Sequence, residues 1–177
     1  MSVWRDCVGA GPLGPWRHCV GAGPLGPSPS DEGMLSPYRV LDLTDERGLL
    51  CGKILADLGA DVIQVEPPTG NPARRIGPFY QDDVHPERSL FWWAYTANKR
   101  SITLNLATPD GQMLLKRLVT SADFLIESGM PGEMAALGLG YHDLAALNPA
   151  LIVVSITPFG QDGPYACLLY TSPSPRD

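Results

Sequence analysis

Between Tyr38 and Thr157 the chain alternates between two kinds of segment, and that alternation constrains its fold more than any other feature. Five short runs read as strands: "YRVLDL", "DVIQVE", "SITLNL", "DFLIE" and "LIVVSIT". Helix-period segments stand between them. "LLCGKILADLG" carries apolar residues at Leu50, Ile54, Leu55 and Leu58, and Gly59 is placed to end it in a left-handed conformation. "TPDGQMLLKRLVTSA" opens with Thr108 as a cap, Pro109 at the first helical position and Asp110 at the positive end of the helix. A short helix is expected over Ser89 to Thr96, carrying Phe91, Trp92 and Trp93. Further helical pieces are expected over Gly132 to Leu139 and Tyr141 to Leu147, and Pro67 to Pro86 reads as a Pro/Gly-rich loop. Strand and helix in this order give right-handed βαβ units and an α/β fold, an open parallel sheet with helices on both faces. Ligands of such sheets sit beyond the carboxyl ends of the strands. Here that edge lies near Thr44, Glu66, Glu127 and Thr157.

The flanks do not continue the pattern. Trp4 to Pro15 and Trp16 to Pro27 are a tandem repeat of twelve residues, differing only at Asp6 and His18. Each copy contains "GAGPLG", a literal match to the dinucleotide-binding glycine pattern. That pattern works only between a strand and a helix N-terminus, where backbone N–H groups face the pyrophosphate. No strand precedes either copy, and Pro12, Pro15, Pro24 and Pro27 oppose a helix. Residues 1–33 are therefore expected to be a disordered leader rather than a cofactor site, with translation expected to begin at Met34. Residues 34–166 form the ordered unit. Residues 167–177, "CLLYTSPSPRD", show no apolar period. Their back-translation resembles a transposase adaptor from sequencing libraries, so a sequence of adaptor origin, or a disordered tail, is expected there.

Composition narrows the function classes. The 177 residues are 44% hydrophobic and 18% charged, enough apolar matter for one core or part of a larger one. Net charge is −6 with no block of basic residues, which argues against nucleic-acid partners and anionic membrane surfaces. No apolar run approaches the ~20 residues of a membrane helix. Cys7, Cys19, Cys51 and Cys167 form no CxxC pair, and a reducing, cytoplasmic setting is expected. Cys51 reads as a buried thiol, not a nucleophile.

Spacing alone assigns little chemistry. His18, His85 and His142 have no metal-ligand partner at helical spacing, so no metal site is expected. Lys99 and Arg100, in "NKRS" before the third strand, fit either a phosphate contact or a solvated turn. Glu66 ends the second strand and fits either a functional carboxylate or a cap on a neighbouring N–H group.

The ordered residues nevertheless resemble a known family. "RVLDLT", "LADLGADVIQVEPP", "NKRSITLNLATPDG", "ADFLIE" and "LNPALIVVSITPFGQDGPYA" occur in the order found in the N-terminal part of family III CoA-transferases, the CaiB/BaiF type. The resemblance runs from Tyr38 to Ala166. It implies an incomplete Rossmann-like large domain, an interlocked homodimer, and transfer of CoA between an acyl-CoA and a carboxylic acid. Coenzyme A is then a substrate, and no cofactor is held permanently. In the family an aspartate attacks the thioester and later carries CoA as an aspartyl thioester. The resemblance also implies CoA contacts at Lys99, Arg100 and Leu104. It supplies no catalytic residue here: the family's aspartate lies past a "GYD" segment, or "GHD" in the related α-methylacyl-CoA racemases, and Asp162 precedes that point. Ala136 stands where the family has a phosphate-gripping arginine, and "DERGLLCG" replaces an Ala-Gly-Pro loop. The alternatives are a racemase fragment and a non-catalytic chain. A fragment of this kind, with a sheet edge and apolar faces uncovered, is expected to be poorly soluble and to melt without cooperativity.

Overall fold

A computed structural model describes residues 33–166; the repeat leader up to Glu32 and the segment from Cys167 onward lie outside the described residues. Five strands form one sheet: β1 Arg39–Leu43, β2 Asp61–Glu66, β3 Arg100–Thr103, β4 Phe124–Glu127 and β5 Ile152–Ser155. Their order is β3-β2-β1-β4-β5, and every neighbouring pair is parallel. The expected open parallel sheet is thus present, with the chain reversing its direction of strand addition beside β1.

The helices are α1 Leu49–Asp57, α2 Leu90–Thr96, α3 Pro109–Val119, α4 Glu133–Ala136 and α5 Tyr141–Leu147. Their ends follow from local chemistry. The Thr108 hydroxyl accepts from Gly111 N, and the Ser89 hydroxyl accepts from Trp92 N. Gly59 adopts φ +100 just past α1, where a side chain would be strained. The strand read as "SITLNL" stops at Thr103. Leu104 still donates its N–H to Glu66 O, but Asn105 then accepts from Thr108 and turns the chain into α3. The loop read over Pro67 to Pro86 contains three short 3-10 turns, Pro72–Arg75, Tyr80–Asp82 and Pro86–Arg88.

One sheet face carries the larger core. Leu41, Ile63, Val65 and Leu125 pack there against Leu115 and Val119 of α3 and Leu144 of α5. Register explains the match, because Leu41 lies opposite both Ile63 and Leu125. The other face holds Val40, Val62 and Ile126 with Ala56 of α1. A third cluster, Leu49, Ala73 and Trp92, ties α2 to the start of α1.

The apolar residues that mark the period of α1 are mostly not the ones it buries. Leu50, Ile54 and Leu58 are 53%, 49% and 39% exposed, whereas Leu49, Gly52 and Ala56 are buried. The reason lies beneath the helix. The sheet there presents Asp42 and Gln64, with Lys99 reaching in beside them, and the helix meets this polar layer with its glycine. A Cβ on Gly52 would come within 2.0 Å of Asp42 Oδ2 and 2.9 Å of Lys99 Nζ.

Gly52→Ala is therefore expected to lower unfolding stability by about 3 kcal/mol, despite the better helix propensity of alanine. Urea denaturation of the two chains checks this; an unchanged or raised midpoint would contradict the packing described.

Candidate functional site at the carboxyl edge

One buried ion pair and one partly buried pair organise the carboxyl edge of the sheet. The first joins Lys99 and Asp42, whose side chains are 1% and 0% exposed. Lys99 Nζ donates to Asp42 Oδ2 at 2.7 Å, to the Leu49 carbonyl at 2.9 Å and to Gln64 Oε1 at 3.2 Å. Those three bonds use every donor the ammonium has. Burial pulls the Lys99 pKa below its ordinary value, and the Asp42 charge opposes that shift. Gln64 completes the layer by donating to the carbonyls of Asp42 and Thr44, at 3.1 and 3.2 Å.

The second pair joins Glu66 and Arg74. Arg74 donates through Nε and Nη2 to the two Glu66 oxygens at 2.6 and 2.8 Å. Glu66 also accepts from Ser101 Oγ at 2.6 Å and from Asn71 N at 3.1 Å. Arg74 reaches Glu87 as well, and its guanidinium carbon lies 4.2 Å from the centre of the Trp92 ring. Burial raises the Glu66 pKa, but the hydrogen bonds from Arg74 and Ser101 outweigh it and hold the carboxyl below its ordinary range. Glu66 is thus the anchor of the loop after β2, a larger structural role than a single N–H cap.

Beyond the strand ends lies a cleft of about 360 Å³. Leu43, Val65, Pro67, Leu104, Met134 and Leu137 supply apolar walls, and Glu66, Glu127 and Glu133 border it. Glu127 accepts from Gly129 N at 2.7 Å and from Gln161 Nε2 at 3.2 Å. The wall at Gly129 continues into Ser128, which is tied to the loop after β1. Ser128 Oγ donates to Asp45 Oδ1 at 2.8 Å and accepts from Asp45 N at 2.9 Å; Arg47 Nη2 donates to Ser128 O at 2.6 Å.

The three residues expected to touch CoA are not brought together. Leu104 borders the cleft. Arg100 opens β3 at the opposite end of the sheet, 59% exposed and paired with Asp61. Four residue steps along the strand separate it from Leu104, about 13 Å. Of the two readings open for Lys99, a phosphate contact or a solvated turn, the solvated turn does not describe its ammonium, which is enclosed beneath α1 and bonded to Asp42. Cys51 is half-buried, and burial pushes its thiol pKa up, as suits a packing thiol. His85 is exposed and accepts from Glu87 N, while His142 is exposed beside Tyr141. His18, Cys7, Cys19 and Cys167 lie outside the described residues. Sequence reading missed Asp42, Gln64, Arg74 and Ser128. Asp42 and Gln64 carried a signal, each a polar residue inside a mostly apolar, buried strand.

Comparison with known proteins places this geometry. The model of CoA-transferase family III matches residues 35–169. The chain belongs to CoA-transferase family III. It is 46% identical over 133 residues to succinyl-CoA–D-citramalate CoA-transferase of Chloroflexus aurantiacus, covering 74% of this chain and 32% of that protein. It is 42% identical over 131 residues to the BbsE subunit of succinyl-CoA:(R)-benzylsuccinate CoA-transferase of Thauera aromatica, with the same two shares. A CaiB/BaiF family protein from Brucella suis superposes with a TM-score of 0.67 at 44% identity, covering 76% of this chain and 36% of that one. The chain thus spans about a third of the length of the relatives it matches. Among the described residues no helix is long and apolar enough to cross a membrane.

Because the Glu66 pKa is held low in the folded state, its ion pair stabilises the fold above the ordinary carboxylate range. That stability is lost as pH falls through the lowered value. Glu66→Gln is expected to cost about 2–3 kcal/mol at pH 7 and to flatten the acid limb of the stability–pH curve. Urea midpoints between pH 7 and pH 2.5 check both; an equally steep acid limb in the variant would contradict the assignment.

Proposed function

We propose that this chain forms the CoA-facing part of the large domain of an enzyme that moves CoA between an acyl-CoA and a carboxylic acid. The observation that carries this is the 46% identity over 133 residues to a succinyl-CoA-dependent transferase, in a chain whose fold leaves an apolar-walled cleft at the carboxyl edge. On this reading coenzyme A is a substrate that runs along the backbone at Leu104, and the chemistry needs no resident cofactor. Succinyl-CoA as donor and dicarboxylic acids as acceptors are the classes to test, because the relatives are named for them.

The reaction balances with one enzyme carboxylate. An aspartate attacks the thioester carbonyl and expels CoA thiolate, leaving a mixed anhydride. The thiolate attacks the aspartyl carbonyl and releases the first acid, giving an aspartyl-CoA thioester. The second acid attacks that thioester, again freeing the thiolate. The thiolate then takes the new acyl group and returns the aspartate. Backbone donors must hold the oxyanion at each step. The proposal assigns the nucleophile to none of the described residues, and Asp162, exposed in the last described loop, is not given the role. Turnover by the 177-residue chain alone is accordingly not expected. An interlocked homodimer and a cytoplasmic setting belong to the same reading of the intact enzyme.

Calorimetric titration of CoA tests the reading. The folded chain is expected to bind, and Leu104→Asp to weaken binding about tenfold by placing a carboxylate against an anionic ligand. A folded chain that ignores CoA would overturn the reading. Transfer from succinyl-CoA to D-citramalate or glutarate by this chain alone would overturn the placement of the nucleophile.

A further inference from the structure

The buried Lys99–Asp42 pair does more than fill space under α1. Asp42 uses its two oxygens for different tasks. Oδ2 takes the Lys99 ammonium at 2.7 Å, and Oδ1 accepts from Thr44 N at 3.0 Å and Thr44 Oγ1 at 2.6 Å. Thr44 begins the loop between β1 and α1. Its carbonyl is held in turn by Gln64 Nε2 at 3.2 Å and Asn71 Nδ2 at 2.8 Å. The next residue, Asp45, is clamped to Ser128, and Ser128 precedes Gly129 in the cleft wall.

We infer that Lys99 is a positioning residue: through Asp42 and Thr44 it fixes the loop of residues 44–48, and so, by way of Ser128 behind it, the cleft wall at Gly129, without touching a ligand. The geometry favours a specific linkage over general packing. Lys99 joins four separate pieces of chain: its own turn, β1 through Asp42, β2 through Gln64, and the first turn of α1 through the Leu49 carbonyl. Without it, Asp42 Oδ2 loses its cation inside the protein. Losing the ammonium frees the residue 42 side chain to rotate away from Thr44 and releases the Leu49 carbonyl at the far end of the loop, and neither effect requires a charge to remain at position 42.

The consequence for binding rests on the proposed CoA reading; the structural consequence does not. The test is amide hydrogen exchange of the 177-residue chain, read at residues 44–48 and at the centres of β1 and β4, with urea denaturation alongside. Lys99→Met removes the ammonium and keeps the stem. Asp42→Asn with Lys99→Met removes both charges, so that no orphan charge stays buried and the fold is retained even where the single variant fails. In either folded variant, exchange at residues 44–48 is expected to rise about tenfold or more while β1 and β4 stay protected. A variant that loses urea stability but leaves the 44–48 exchange at the wild-type rate relative to the strands would overturn the inference, since a merely structural role predicts that. CoA titration separates the two proposals. Loosened 44–48 amides with CoA affinity reduced about tenfold support both. The same loosening in a chain whose wild type ignores CoA leaves Lys99 as the positioning residue and removes the CoA reading. Wild-type exchange with weakened CoA binding returns Lys99 to a direct ligand contact.

Discussion

A lysine and an aspartate, shielded from water under one helix, set the terms for the rest of this fold. Taking both charges out of water costs several kcal/mol per ion. That cost is offset only because each remaining donor and acceptor is used: Gln64, the Leu49 carbonyl and Thr44 complete the set. The requirement spreads outward. The helix above must carry glycine at position 52, so it sits low on the sheet and turns a different stripe inward than its apolar spacing suggests. Among the described residues no buried side-chain nitrogen or oxygen lacks a partner, which is the condition under which such a layer can exist.

The two faces of the sheet consequently have different characters. The face under α3 and α5 is an ordinary apolar core around Leu41, Leu115 and Leu144. The face under α1 is apolar at the amino ends of the strands, at Val40 and Val62, and polar toward their carboxyl ends, at Asp42, Gln64 and Glu66. Polar groups on that side lead step by step to the loops after β1 and β2. The ligand-facing edge is held by bonds that have direction and length, which is what a site needs if its walls are to stay in place.

Most of the fold was legible in the sequence because it rests on local signals. Strand runs, the Thr108 and Ser89 caps, and the left-handed Gly59 each act within a few residues. β3 read too long because "TLNL" keeps an apolar alternation after the ladder has ended, and only the Asn105 turn reveals the stop. The site was less legible because its logic is non-local. Lys99 and Asp42 are 57 residues apart, and Ser128 and Asp45 are 83 apart. A lysine before a strand looks the same in sequence whether it faces water or an aspartate. Of the three residues that the family motifs singled out, Leu104 borders the cleft, while Lys99 and Arg100 lie away from it, a separation that their closeness in sequence does not reveal.

Arg74 has a consequence of a different kind. Its guanidinium covers Trp92, which is 5% exposed, while the adjacent Trp93 is 38% exposed and donates to the Glu87 carbonyl. Two neighbouring indoles thus stand in opposite surroundings, one dry and beneath a cation, the other partly in water. Their emission will differ in colour and in quenching. The long excursion between β2 and β3 therefore carries its own optical gauge: the blue component from Trp92 persists only while Arg74, Glu66 and the loop remain docked on the sheet.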